Sequence, residues 1–297
     1  MFEELLMQNH GQRVIGIIGA TLTVAAFSAG VVQAEVTATR MLEESVAIDD
    51  VSGLTVLVDN VFGPVRVTAH DRNVVDMRAT EALRADTQAD LDRARAEVEL
   101  RTVREDGRVA FQVRRPNDSC GADCTCRCNS WDGYIAVYDI EVVVPRDAAI
   151  EVKTVNNGDI VIDGVRGDFD VRNVNGAVQL SGLRGAGRAT TVNGPVEASF
   201  ERAPAAATSF KTINGEIDVS FPGDLAADLE FKTMHGEIYT DFDVEPLGRA
   251  AVGERTQDGA TFLIRAQRPS AVRIGRGGPT HAFETLNGDI YIREGSR

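Results

Sequence analysis

From Ile150 to Tyr239 apolar and polar residues alternate in short runs, and each run breaks at a similar phrase. The copies are Thr154-Val-Asn-Asn-Gly-Asp-Ile160, Asn173-Val-Asn-Gly-Ala-Val178, Thr191-Val-Asn-Gly-Pro-Val196, Thr212-Ile-Asn-Gly-Glu-Ile217 and Thr233-Met-His-Gly-Glu-Ile238. Their glycines stand at 158, 176, 194, 215 and 236, so the spacing is 18, 18, 21 and 21 residues. One strand-forming unit every twenty residues or so is the mark of a stacked array. The pattern therefore predicts an all-β, single-domain β-solenoid with rungs of 18–21 residues. A further copy, Thr285-Leu-Asn-Gly-Asp-Ile290, follows this block, and a degenerate one, Asn60-Val-Phe-Gly-Pro-Val65, precedes it.

Period two assigns the faces of a rung. Ile213, Gly215, Ile217 and Val219 share one face, and Thr212, Asn214, Glu216 and Asp218 share the other. The inner column is then Val155/Ile160/Ile162, Val174/Val178/Leu180, Val192/Val196, Met234/Ile238 and Leu286/Ile290/Ile292. The repeat-motif residues are Asn156 and Gly158, Asn175 and Gly176, Asn193 and Gly194, Asn214 and Gly215, His235 and Gly236, and Asn287 and Gly288. Stacking sets like on like, so Thr and Asn ladders are expected along the array. Glycine supplies either a positive φ at the corner or room for close backbone approach. A row of β-hairpins is the competing reading, because Asn-Gly is a strong hairpin signal. Pro195 after Gly194 and the regular period favour the solenoid; the extra Asn157 fits a corner bulge.

Outside the block, Leu54–Val58, Val65 with Val67, Val98 with Leu100, and Val109–Val113 read as strands, the last two pairs joined at Asp106-Gly107 as a hairpin. Residues 35–50 read as a lead-in and Val74–Met77 as a short strand. Thr87–Arg95 reads as one short helix (87–95) with Asp86 as its N-cap. A cysteine-rich loop spans 115–133, followed by a strand over Tyr134–Val144. Residues 245–260 read as a loop insertion before strands at Thr261–Arg265 and Ala271–Ile274. The core repeats thus occupy 150–240 and a closing repeat 284–292, inside one domain over 35–297.

Val143-Val-Pro145, the run Ile150-Glu-Val-Lys-Thr-Val-Asn and the repeated Thr-aliphatic-Asn-Gly-acid-Ile units resemble the bacterial putative-adhesin β-repeat proteins, a domain-of-unknown-function family of exported β-solenoids. The resemblance covers about residues 50–292. It implies a β-helix-like fold and a cell-envelope location, and it brings no catalytic residues. Met234-His235 and Val61-Phe62 depart from the motif, so an Asn ladder is expected to break at those rungs.

Residues 1–34 read as a signal peptide: no charge lies between Val14 and Val32, and Val32-Gln33-Ala34 places cleavage after Ala34. Glu3 and Glu4 are unusual for a signal, and a retained membrane anchor is the alternative. The expected address is the periplasm or cell surface of a bacterium, with the mature chain soluble or peripherally attached to the envelope. The net charge of −14 excludes nucleic acid as a natural partner. The chain's three lysines, Lys153, Lys211 and Lys232, each precede a repeat Thr, placing them to neutralise the acids that follow the glycines.

Candidate chemistry is concentrated in Cys120, Cys124, Cys126 and Cys128. In an oxidising compartment disulfides are the favoured reading, with three connectivities open; a thiolate metal site for zinc or copper is the sharper alternative. Trp131 is expected to pack that loop. Asp159, Glu216, Glu237 and Asp289 would line one face, with Ala177 and Pro195 interrupting the column, and a solvated face is favoured over a Ca²⁺ site. His70, His235 and His281 show no metal-ligand spacing, and neither a phosphate-cradling loop nor a nucleophile motif occurs. The expectation is a non-enzymatic envelope module without cofactor, structural or adhesin-like, engaging envelope proteins, glycans or a second copy. A metal-handling protein and a carbohydrate-active enzyme are the alternatives.

Overall fold

The computed structural model describes residues 35–115, 133–247, 252–254, 262–265 and 270–295. The alternating runs become two long facing sheets. In spatial order, the first contains Val36–Ala47, Val74–Ala85, Tyr134–Pro145, Val65–His70, Ile160–Asp163, Val178–Leu183, Val196–Phe200, Ile217–Pro222, Ile290–Gly295, Ile238–Thr240, Phe262–Arg265 and Val252–Glu254. The second contains Glu99–Glu105, Arg108–Arg114, Thr55–Asp59, Ala149–Lys153, Phe169–Arg172, Gly187–Thr190, Thr208–Lys211, Thr280–Glu284, Ala227–Lys232, Ser270–Ile274 and Val244–Pro246. Each rung runs along the second sheet, turns at its Asn-Gly corner and returns along the first. Neighbouring rungs pair in parallel, as a solenoid requires. The hairpin reading is excluded for the repeats, and it holds at Asp106-Gly107, where Glu99–Glu105 and Arg108–Arg114 pair antiparallel.

The rungs do not stack in chain order. Thr280–Glu284 lies between Thr208–Lys211 and Ala227–Lys232, and Ile290–Gly295 lies between Ile217–Pro222 and Ile238–Thr240. The expected closing repeat is therefore an inserted rung, which splits the last two copies of the central block. The degenerate copy sits directly on the first central one, with Phe62 bridged to Asn156.

The corner shows why the phrase recurs. A Cβ on Gly194 would fall 2.2 Å from the Gly176 carbonyl oxygen, and one on Gly215 2.0 Å from that of Gly194. The same clash runs from Gly63 through Gly158 and Gly176, and again through Gly288 to Gly236. Close approach is what this position demands at every rung, and Gly63, Gly176, Gly194 and Gly288 take a positive φ as well. The glycine carbonyl then needs a donor, and the buried first residue of the next rung provides one. Thr191, Thr212 and Thr285 donate to Gly176, Gly194 and Gly215 at 2.9, 2.9 and 3.0 Å. Thr154 reaches Gly63, and Asn173 reaches Gly158 through its amide.

This geometry corrects the period-two face assignment at the corner. Thr212 is buried and Ile213 is 36% exposed; Val155, Leu286 and Met234 also face solvent. The chain turns between the Thr and the Gly, so alternation does not carry through, and the inner columns begin at Ile160, Val178, Val196, Ile217, Ile290 and Ile238. Between the sheets the core is aromatic towards the C-terminal rungs. Phe210, Phe283 and Phe231 stack in register, with centroids 5.6 and 5.4 Å apart, and Phe200 stacks on Phe221 at 5.0 Å. His281 is wholly buried against Phe221; its Nδ1 meets the Thr208 hydroxyl at 2.9 Å, while Nε2 has no partner among the described residues.

Both ends of the array are closed by antiparallel strands. The presumed lead-in is a twelve-residue strand, Val36–Ala47, and the short strand at Val74 extends to Ala85. Glu81 points inward there and is held by Arg40 and by the Tyr138 hydroxyl. Burial, then the bond to Glu81, raises the pKa of Tyr138. The helix spans Gln88–Glu97 with Thr87, not Asp86, as N-cap, because the Thr87 side chain accepts from the Asp90 amide at 3.1 Å. Leu91 and Ala94 anchor it. The 245–260 region contributes the strands Val244–Pro246 and Val252–Glu254 instead of a plain loop.

Two predictions follow from this packing. Replacing Gly194 by Ala should cost about 3 kcal/mol through overpacking, and Thr212→Val about 1–3 kcal/mol by orphaning a buried carbonyl, both measured by urea unfolding. Burial lowers the pKa of His281 to about 4, whereas the unfolded imidazole titrates near ~6.5. The unfolded state thus takes up the proton first. Stability is complete above about pH 6.5 and declines by roughly 3 kcal/mol as pH falls towards about 4. His281→Leu should flatten that part of the curve.

Candidate functional site

The narrow edge formed by the stacked corners presents a regular surface. Asn175 donates its side-chain amide to the Asn156 Oδ1 at 2.9 Å, Asn193 to Asn175 and Asn214 to Asn193 at 2.8 Å, and Asn287 to Asn214 at 2.7 Å. The ladder ends at Phe62 on one side and His235 on the other, although the backbone bridges continue through both. The sequence motif thus predicts a ladder and the rungs at which it stops. It does not reveal that Asn287 is the link next to Asn214.

Beside the ladder runs a second column: Val61, Val155, Val174, Val192, Ile213, Leu286 and Met234, each immediately before the motif Asn or its substitute. Met234 is 70% exposed. Faces assigned by alternation put these residues inside, so this apolar stripe was hidden from sequence reasoning. On the other side of the glycines stand Asp159, Ala177, Pro195, Glu216, Asp289 and Glu237, in stacking order. The inserted rung makes Glu216, Asp289 and Glu237 consecutive, which their spacing along the chain conceals.

Asp159, Asp289 and Glu237 are engaged by protein groups. Asp159 accepts from the Ala177 amide and Asp289 from the Glu237 amide, each at 2.8 Å. The Tyr239 hydroxyl donates to Glu237 at 2.6 Å, and that of Tyr291 to Asp289 at 3.3 Å. The bond to Glu237, then burial, pushes the Tyr239 pKa up to about 12. The two tyrosine rings stack at 5.0 Å, and Arg293 lies over Tyr291 while bridging to Asp218. Both tyrosines follow the rung isoleucine by one residue, a match that aligning the copies exposes.

The lysines do not neutralise this column. Lys211 and Lys232 both pair with Glu284, at 3.2 and 2.7 Å on the outer face of the second sheet, and that pairing lowers the Glu284 pKa. They precede the corner and so face away from it. Among the described residues no group of three His, Cys, Asp or Glu side chains is placed to hold a metal ion. His235 is exposed at the corner, and His70 bonds the Val74 carbonyl at 2.7 Å. Ala34, Cys120, Cys124, Cys126, Cys128 and Trp131 lie outside the described residues. Among the described residues no helix is long and apolar enough to cross a membrane.

Residues 125–258 match the family model described as Toastrack DUF4097. Among solved structures it is similar to a putative adhesin from Bacteroides fragilis, at 11% identity and a TM-score of 0.37, over 86% of this chain and 96% of that one. It is also similar to a putative cell adhesion protein from Clostridium sporogenes, at 12% identity and a TM-score of 0.35, over 85% and 99% of the two chains. No curated protein matches it.

If the ladder contributes as exposed hydrogen bonds do, Asn193→Ala should cost about 1 kcal/mol in urea unfolding, less than loss of the buried hydroxyl at Thr212.

Proposed function

We propose that this chain, similar to the toastrack family over residues 125–258, is an exported, non-enzymatic module of the bacterial cell envelope that works by binding, as an adhesin-like or structural surface. The observation that carries the reading is the Asn-Gly edge. It aligns a solvent-facing amide ladder, an apolar column and a row of acids along one rigid array. A rigid array presents such groups with little ordering cost on contact. Its long axis also offers many weak contacts acting together, which is how solenoid surfaces engage extended partners. The carboxylates of Asp159, Asp289 and Glu237 on this edge are bonded to amides and tyrosine hydroxyls, an arrangement that favours holding over turnover.

The test is direct. Fractionation of cells expressing the full chain should place it in the periplasm or on the surface. The purified chain should bind isolated envelope material with a saturable isotherm in the micromolar range and leave that material chemically unchanged. Cytoplasmic retention, an absence of binding, or release of cleaved fragments would each reject the proposal.

A further inference from the structure

Resting on that binding reading, we propose that the Asn-Gly edge is a track for a neutral, β-linked polysaccharide lying extended along the solenoid axis. Its midline is the column of glycines at 63, 158, 176, 194, 215, 288 and 236, where the missing Cβ atoms let successive rungs approach closely. On one flank lies the Asn ladder backed by the apolar column; on the other lies the row from Asp159 to Glu237.

Size argues for a thread-like ligand. Rungs about 4.8 Å apart give this edge a length of about 29 Å, and the separation of packed sheets gives it a width of about 10 Å. The resulting ~300 Å² falls well short of the ~800 Å² per partner that a stable protein–protein contact buries. An extended peptide is a poor fit as well. It would bind by adding backbone hydrogen bonds to an open strand edge, but the corner amides of Gly176, Asn193, Gly194, Asn214, Gly215 and Asn287 are all bonded to adjacent rungs. A peptide also advances ~3.3 Å per residue, out of step with the rungs.

A polysaccharide matches what remains. Asn175, Asn193, Asn214 and Asn287 each have two side-chain N–H bonds and donate one along the ladder; among the described residues no acceptor meets the second. Each Asn rung therefore presents an outward donor beside one apolar side chain. A pyranose presents hydroxyl edges and C–H faces, and one extended β-linked sugar advances nearly as far as one rung. The acids of the second flank and the net charge of −14 exclude a polyanionic chain and leave acceptors for sugar hydroxyls.

Depletion assays with the full chain on microcrystalline cellulose, chitin beads and alginate test the inference. The expected result is micromolar retention on cellulose or chitin and none on alginate. Asn193→Ala combined with Asn214→Ala should weaken retention at least ~10-fold, and Ile213→Asp, which leaves the ladder intact, should do the same. Lys232→Ala, on the outer face of the second sheet, should leave retention unchanged. Circular dichroism of each variant verifies that the β fold persists. Retention on neither neutral polysaccharide, or retention that both edge variants preserve, overturns the inference. Envelope binding that persists without polysaccharide retention overturns this ligand alone, whereas loss of both removes the binding reading too.

Discussion

Each turn of the solenoid must carry a backbone carbonyl around a corner at the margin of the core, and a buried carbonyl without a donor costs one to three kcal/mol or so. The solution is the same at successive rungs: the Thr hydroxyl or Asn amide that opens one rung donates to the glycine carbonyl of the rung below. That bond requires the two corners to approach at the strand-pairing distance, and at that distance a Cβ on the upper glycine would strike the same oxygen. Thr, Gly and the aliphatic residue after them are therefore one device. The Thr supplies the donor, the Gly permits the approach, and the aliphatic residue fills the core directly behind.

This device is indifferent to chain order. A rung accepts any neighbour with a Thr and a Gly in the right places, so the copy at 285–290 enters between those at 212 and 233. Closing a longer loop to deliver it adds little entropy cost, because that cost grows only logarithmically with length. The interior decides where it goes. Phe283 stacks on Phe210 and on Phe231, so the inserted strand supplies the middle member of an aromatic column. Its neighbour His281 sits in that same apolar setting, with one nitrogen bonded to Thr208 and the other orphaned, which makes acid pH bear on this rung.

The repeated phrase made the solenoid, its rung length and the Asn ladder legible, since all three depend on periodicity. Three features were not. Alternation assigned Ile213 and Val155 to the core because period two presumes an unbroken strand, and the corner lies between Thr212 and Gly215. The order of rungs was hidden because seven similar phrases specify neighbours equally well; side chains outside the phrase, such as Phe283, discriminate among them. The pairing of Glu284 with two lysines was missed for the same reason, as the three residues come together only once the rung is inserted.

The stacking device accounts for the Thr, the Gly and the inner aliphatic residue, and it leaves the apolar position before the Asn unexplained. An isolated exposed aliphatic side chain is ordinary on a protein surface. Val61, Val155, Val174, Val192, Ile213, Leu286 and Met234 are not isolated: they form one column in register, so they constitute a stripe rather than scatter. Extended backbone at a corner favours β-branched residues, which would explain Val and Ile but not Leu286 or Met234. What the seven share is an apolar surface at every rung, while the position after the glycine runs Pro, Asp, Ala, Pro, Glu, Asp and Glu in stacking order. A property kept on the outside, where packing does not ask for it, points to something that touches the outside. The ladder beside it sets the spacing at which that contact is made.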